Sequence, residues 1–442
     1  MTYEFELNKL PRTYAVRAAM LHCVRDPGLS GDLGATEWVS DALIVVRDGH
    51  FDAVAPAADL LPALGADVPI WDQRGKIVVP GFIDAHVHYP QVDVIASYGA
   101  QLLDWLNTYT FPEEKKFANR THADEVAEFF LDRLLENGTT TASVFCTVHP
   151  ESVDAFFTES EARGLRMIAG KCFMDRNAPD GLRDTAESGV RETRELIERW
   201  HGHARSQYAI TPRFAASSSR EQMQAIGALA KEFPTTYIQS HVAENKAEIE
   251  WIRELFPERR SYLDVYDHYG LLREKSIYAH CIYLDDIDRK RMTEAGATPA
   301  LCPTSNLFIG SGLYNLQQAL DAGNRVSLGT DVGGGTSYSM LRTLGEAYKV
   351  QQLQGASMSP AYALYLATLG PARALSLDEK IGSIERGKEA DFVLLDPKAT
   401  PLLSRRTSLR SDPLDIFFAM MTLGDDRAVL ATFSHGRCVH ER

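Results

Sequence analysis

The residues with the most chemical potential in this sequence are four histidines and an aspartate, each at the end of a short apolar run. His86 and His88 close KIVVPGFIDAHVH. In an extended chain side chains alternate faces, so two histidines separated by one residue point the same way and can grip one ion together. His241 lies in TTYIQSHVAE, His280 in SIYAHCIYL and Asp331 in RVSLGTDVGGG. Three imidazoles and one carboxylate make a donor set suited to zinc or ferrous iron. A lone histidine at a strand end is more often a hydrogen-bonded structural residue, and His22, His201 and His435 are read that way. His-x-His with a further His, a His and an Asp, each on its own run, points to a metal centre.

Glu244 follows His241 by three residues, where the chain leaves its strand. Read plainly, it is an acid in the first turn of the helix NKAEIEWIRELF, favoured by the helix dipole. Read chemically, it is a carboxylate beside a metal that can carry a proton from water to a leaving nitrogen.

Such residues need a scaffold that brings distant strand ends together. From about residue 76 to residue 335, eight strand-like runs alternate with amphipathic helical stretches, the signature of repeated βα units and a parallel sheet. The pattern predicts a (β/α)8 barrel, whose active sites gather at the carboxyl ends of the strands, where the five residues fall. Thr121, with Asp124 three positions on, is expected to start a helix through ADEVAEFFLDRLLEN that Gly138 ends. Both chain ends show short alternating runs, ALIVVRDGHFDAVAP, DFVLLDP and RAVLATFSHGRCVHER. The division expected is residues 1–75 and 380–442 as two parts of one small composite β-sandwich, with the barrel over 76–379. The stretch 89–117, YPQVDVIASYGAQLLDWLNTYTFPEEKKF, is a long insertion after the first barrel strand and is expected to shape the site.

Composition narrows the classes further. The 442 residues carry a net charge of −14, which argues against a protein that coats nucleic acid. No apolar run reaches the roughly 18 residues of a spanning helix, and the N-terminal stretch lacks the order of a secretory signal, so a soluble, cytoplasmic protein is expected. Six widely spaced cysteines without a Cys-x-x-Cys pair fit buried thiols in a reducing compartment. The zinc deaminases of the cytidine type need His-x-Glu with Pro-Cys-x-x-Cys, and neither occurs.

PGFIDAHVH, the histidines of the fifth and sixth strands and SLGTDVGGG resemble the amidohydrolase superfamily of distorted (β/α)8 barrels with a flanking β-sandwich. HVHYPQ, the 98–117 segment, MDRNAPDGLRD, ITPRFA, SHVAENKAEIEW and PTSNLFIGSGL are similar to its guanine-deaminating branch, from about residue 70 to residue 435. The resemblance implies one Zn2+ per chain held by His86, His88, His241 and Asp331, with His280 beside a bound water. It implies Glu244, Asp331 and His280 as catalytic residues, and hydrolysis of guanine to xanthine and ammonia. Gln91, Arg213 and Phe214, together with His88, His241, Glu244 and Asp331, are the implied contacts to the purine. An arginine fork suits guanine's adjacent O6 and N7 acceptors. Phe214 reads equally as barrel core or as a ring stacked on the base. Binuclear relatives carry a carboxylated lysine at the end of the fourth strand; Arg213 stands there instead, implying a single metal, and Lys171, one strand earlier, reads as structural. A homodimer is also implied, with no nucleic-acid or membrane partner. The alternatives are a family member acting on a pterin, a triazine or an adenine derivative, and a non-catalytic binding member.

Overall fold

The computed structural model describes residues 7–99 and 101–442. The chain begins in a sheet of its own: β1 (Thr13–Cys23), β2 (Thr36–Arg47), β3 (His50–Pro56) and β4 (Ile70–Pro80). It then enters the barrel through β5 (Phe82–His88), β6 (Thr139–Phe145), β7 (Arg166–Gly170), the short β8 (Cys172–Phe173) and β9 (Gln207–Pro212). β10 (Tyr237–Val242), β11 (Ser276–His280), β12 (Thr298–Leu301) and β13 (Ser327–Leu328) follow. β14 (Phe392–Leu395), β15 (Val429–Ser434) and β16 (Arg437–Glu441) return to the first sheet.

The barrel strands pair in parallel in the order β13-β12-β11-β10-β9-β7-β6-β5, with β8 alongside β9. Asp331 N donates to His86 O at 2.8 Å and His88 N to Val332 O at 3.3 Å, so backbone bonds tie the segment after β13 to β5 and bring the two edges together. Helices between the strands cover the outside. The helix Arg120–Glu136 is capped by Asn119, whose side chain accepts from Thr121 N, so the cap lies two residues before the position expected; Gly138 follows with the positive φ of 79° that a chain reversal requires. Asn245 and Glu248 form a capping box on Lys246–Leu255.

The run KIVVPGFIDAHVH, expected as one strand, is two. Residues up to Pro80 pair with β1 and β14 in the terminal sheet, and Phe82 starts the barrel. Proline cannot donate to a ladder, and a Cβ on Gly81 would strike the Thr140 side chain, so the pair marks the crossing between the two units. The terminal strands run in the order β16-β15-β14-β4-β1-β2-β3. One core joins Val16, Ile44, Phe51, Phe392 and Phe433 from both chain ends. The sheet curls so that β3 meets the approach to β14, with Phe51 N donating to Lys388 O. Two helices, Pro401–Thr407 and Pro413–Leu423, stand between β14 and β15, where only strands were expected.

At the amino end of the barrel, Ile83, Ile168, Tyr237 and Ile277 pack against Ala372, Leu375 and Ile381, which plug the bottom. Among the described residues no helix is long and apolar enough to cross a membrane.

Candidate active site

The carboxyl ends of the barrel strands bring the five residues into one buried cluster. His88 Nε2 and His241 Nε2 lie 3.1 Å apart. Asp331 Oδ1 stands 3.2 Å from His86 Nε2 and 3.4 Å from His88 Nε2, and Asp331 Oδ2 stands 3.7 Å from His280 Nε2. The local backbone is unusual here: His280 and Asp331 have φ of 71° and 52°, and Ala243 and Cys281 also sit in the left-handed region. Non-glycine residues there cost roughly 1–3 kcal/mol each and gather where a site over-determines them.

The cluster has the electrostatics of a cation site. Burial holds the imidazoles of His86, His88 and His241 below their usual pKa, keeping them neutral with a free lone pair. His241 Nδ1 lies 2.6 Å from Arg213 O, so it carries the proton and leaves Nε2 as an acceptor facing His88 Nε2. His86 Nε2 is buried without a well-formed hydrogen bond. Burial opposes ionisation of Asp331, yet the His86, His280 and His88 rings outweigh it and hold the carboxyl far below its usual range. Converging ring nitrogens, one of them orphaned, and an ionised carboxylate fit a divalent ion.

His280 differs from the other three. Burial works to lower its pKa, but the Glu244 and Asp331 carboxylates outweigh burial and raise it. Its Nδ1 meets Asn306 Oδ1 at 2.9 Å and its Nε2 faces Glu244 Oε2 at 3.4 Å. Glu244 is not in a helix, so the plain reading of it as a first-turn acid fails; Glu248 holds that place. Ser311 Oγ donates to Glu244 Oε1 at 2.8 Å, and burial raises the Glu244 pKa. Behind it Glu248 accepts from the Glu244 backbone N–H at 3.1 Å and from Tyr262 OH at 2.8 Å, and burial with the neighbouring Glu244 charge brings its pKa to about 7.

A cavity opens on this cluster. His88, His241, Glu244, His280 and Asp331 line one side; Gln91, Arg213 and Phe214 line another; Leu102, Trp105, Leu106 and Ile309 close it with apolar surface. The insertion therefore does wall the site, as short helical segments between Tyr89 and Ala118. Phe214 faces the cavity while its ring rests 6.0 Å from Trp251. Gly333 has φ of 111°, and a Cβ there would collide with the Gln91 side chain, so GTDVGGG needs glycine at this point for two reasons. Lys171 lies away from the cavity, its Nζ 2.6 Å from Asp184 Oδ2.

Sequence reasoning missed Glu114, Glu248, Asn306, Ser311 and Asp84. Asp84 accepts from His86 N and Thr330 N and from the Thr330 hydroxyl, joining the first barrel strand to the segment that follows the last. The signal for Glu114 was FPEE in the insertion: a buried arginine needs a carboxylate, and one was at hand.

Residues 77–439 match the amidohydrolase family model. The chain is 48% identical over 408 residues to guanine deaminase of Escherichia coli, covering 92% of this chain and 93% of that one. A solved structure of the E. coli guanine deaminase matches with a TM-score of 0.95 at 47% identity, over 97% of this chain and all of that one. A guanine deaminase structure from C. acetobutylicum, with guanine bound in its active site, matches with a TM-score of 0.87 at 28% identity, over 97% of this chain and all of that one. The chain belongs to the amidohydrolase family, in its guanine deaminase branch.

Proposed function

We propose that the protein hydrolyses guanine to xanthine and ammonia with one zinc ion held by His86, His88, His241 and Asp331. The observation that carries this reading is one cavity bounded by the histidine–aspartate cluster on one side and by Gln91 and Arg213 on the other. Zinc in such a donor set lowers the pKa of water from 15.7 toward about 7, which makes a nucleophile available at neutral pH.

The remaining steps fall to the chain. Gln91, Arg213 and Phe214 hold the purine with C2 toward the cluster, and Leu102, Trp105 and Leu106 exclude bulk water. Asp331 accepts a proton as the water oxygen attacks C2. Glu244, raised by burial and fixed by Ser311, delivers its proton to N3; the proton held by Asp331 then passes to the exocyclic amine, which leaves as ammonia while the new C2 hydroxyl returns its proton to Glu244. His280, held by Asn306 and drawn toward its charged form by Glu244 and Asp331, stabilises the oxygen on which charge develops. A homodimer and a cytoplasmic setting remain part of the proposal, and sedimentation of the purified chain tests the first.

The test is a substrate panel followed by ultraviolet absorbance: guanine, a pterin, a triazine and adenine. Turnover of guanine to xanthine above all others is the expected result. Turnover of another amino-heterocycle with guanine untouched overturns the assignment of Gln91 and Arg213 and leaves the metal cluster standing.

A further inference from the structure

Glu114 sits at the far end of the insertion and is fully buried, yet it does not line the cavity. Both its oxygens accept from Arg213 Nη1, at 2.8 and 2.7 Å, and Oε1 also accepts from Gln91 Nε2 at 3.1 Å. Phe111, three residues earlier, places its ring 5.5 Å from the Arg213 guanidinium carbon. One carboxylate behind the wall thus holds both polar side chains that face the purine position.

We propose that Glu114 is a positioning residue that sets the specificity of the site for a purine carrying a donor beside an acceptor. A carboxylate can only accept, so it captures the amide nitrogen of Gln91 and fixes which end of that amide is free. The end left is Oε1, an acceptor, seated against Gly333 where a Cβ would collide with it. Arg213 offers only donors. The wall therefore presents an acceptor from Gln91 and donors from Arg213, in an order that the chain cannot reverse while Glu114 holds both side chains. Guanine fits this order through its N1–H donor and O6 acceptor. 2,6-Diaminopurine reverses it, with an acceptor at N1 and a donor at C6. Sites built from buried polar groups reject such analogues strongly, because the mismatched groups are left unpaired. Glu114 also balances the buried Arg213 cation, which otherwise stands uncompensated beside the histidine cluster.

The inference rests on the guanine reading above, and the experiment separates the two. kcat and KM are measured for guanine and for 2,6-diaminopurine in the wild type and in Glu114→Gln, with zinc content on the same preparations. An amide at this position donates as well as accepts, so Gln91 can turn over. The expected result is a wild type that prefers guanine and a variant whose guanine-to-diaminopurine ratio of kcat/KM falls by roughly tenfold or more, mainly through KM for guanine, with zinc retained. An equal loss on both substrates overturns the positioning role and makes Glu114 a general structural support. If Glu114→Gln does not fold, the same ratio is read on Glu114→Asp, whose shorter carboxylate stays opposite Arg213 but withdraws from Gln91; a fall is expected, and an unchanged ratio refutes the role. A wild type that takes diaminopurine in preference to guanine, or neither, defeats the guanine reading and this inference with it.

Discussion

The two ends of the barrel are built on opposite rules. At the amino end, apolar side chains meet the 372–381 plug, and two strand hydroxyls bond its carbonyls: Tyr237 OH donates to Leu375 O at 2.6 Å and Thr298 Oγ1 to Ala374 O at 3.2 Å. Ion pairs bind this end to the terminal sheet, with Glu389 between Arg166 and Arg205, and Arg205 reaching on to Asp391 at 2.6 Å. At the carboxyl end, imidazoles face one another, a ring nitrogen is orphaned and the backbone enters the left-handed region at His280, Cys281 and Asp331. The amino end is built from packing and ion pairs, and the carboxyl end keeps titratable groups and turned backbone in place for chemistry. Substitutions should therefore separate: those of the titratable groups in the carboxyl-end cluster cost activity with little stability, and those at the amino end do the reverse.

The largest expected effect is at Glu244. Glu244→Gln keeps the shape and removes the proton, and kcat should fall by about 10²–10⁴ with zinc content and the unfolding midpoint nearly unchanged. A concurrent loss of stability, read by calorimetry, would break the separation.

Glu389→Gln tests the other end. It leaves Arg166 without its carboxylate, while Arg205 keeps Asp391, so a cost near the lower end of the range for broken buried pairs, about 3 kcal/mol, is expected in denaturant unfolding, with kcat on guanine unaltered. The same pair gives a pH signature. Burial alone would raise the Glu389 pKa, but Arg166 and Arg205 hold it at about 2 against a usual 4.5. A depressed carboxyl contributes stability above its unfolded pKa and loses it as pH falls through the folded one. The gap in stability between wild type and Glu389→Gln should be full above about pH 5 and shrink as pH drops from 4.5 toward 2; a constant gap would mean that packing alone accounts for it.

Tyr237→Phe is the smallest step. It strips the hydroxyl from Leu375 O in the plug and should cost about 1–2 kcal/mol of stability by the same assay, again with kcat preserved.

How far the sequence revealed these ends differs in the same way. His86, His88, His241, His280 and Asp331 were legible because each lies at or just beyond the carboxyl end of a barrel strand, where the βα pattern and the fold's geometry place functional groups. The eighth strand was less so: only Ser327–Leu328 is regular, since Gly329 and the turned backbone at Asp331 take the chain out of the ladder to reach the cluster. Ser311 and Asn306 were illegible because their partners lie 67 and 26 residues away, and no local periodicity encodes such contacts; for Glu114, 99 residues from Arg213, FPEE offered a carboxylate but nothing local named its partner. The crossing at Pro80–Gly81 was hidden by continuous hydrophobicity on both sides. The helix Pro413–Leu423, PLDIFFAMMTL, is apolar nearly all round and so carries little of the amphipathic period that marks a helix.

The measurement that bears most directly on the central claim is xanthine formation from guanine while metal-stripped protein is titrated with zinc. Activity should start near zero, rise in proportion to added zinc and level off at about one ion per chain. Full turnover by the stripped protein, or a plateau at two ions, would contradict a single metal held by His86, His88, His241 and Asp331.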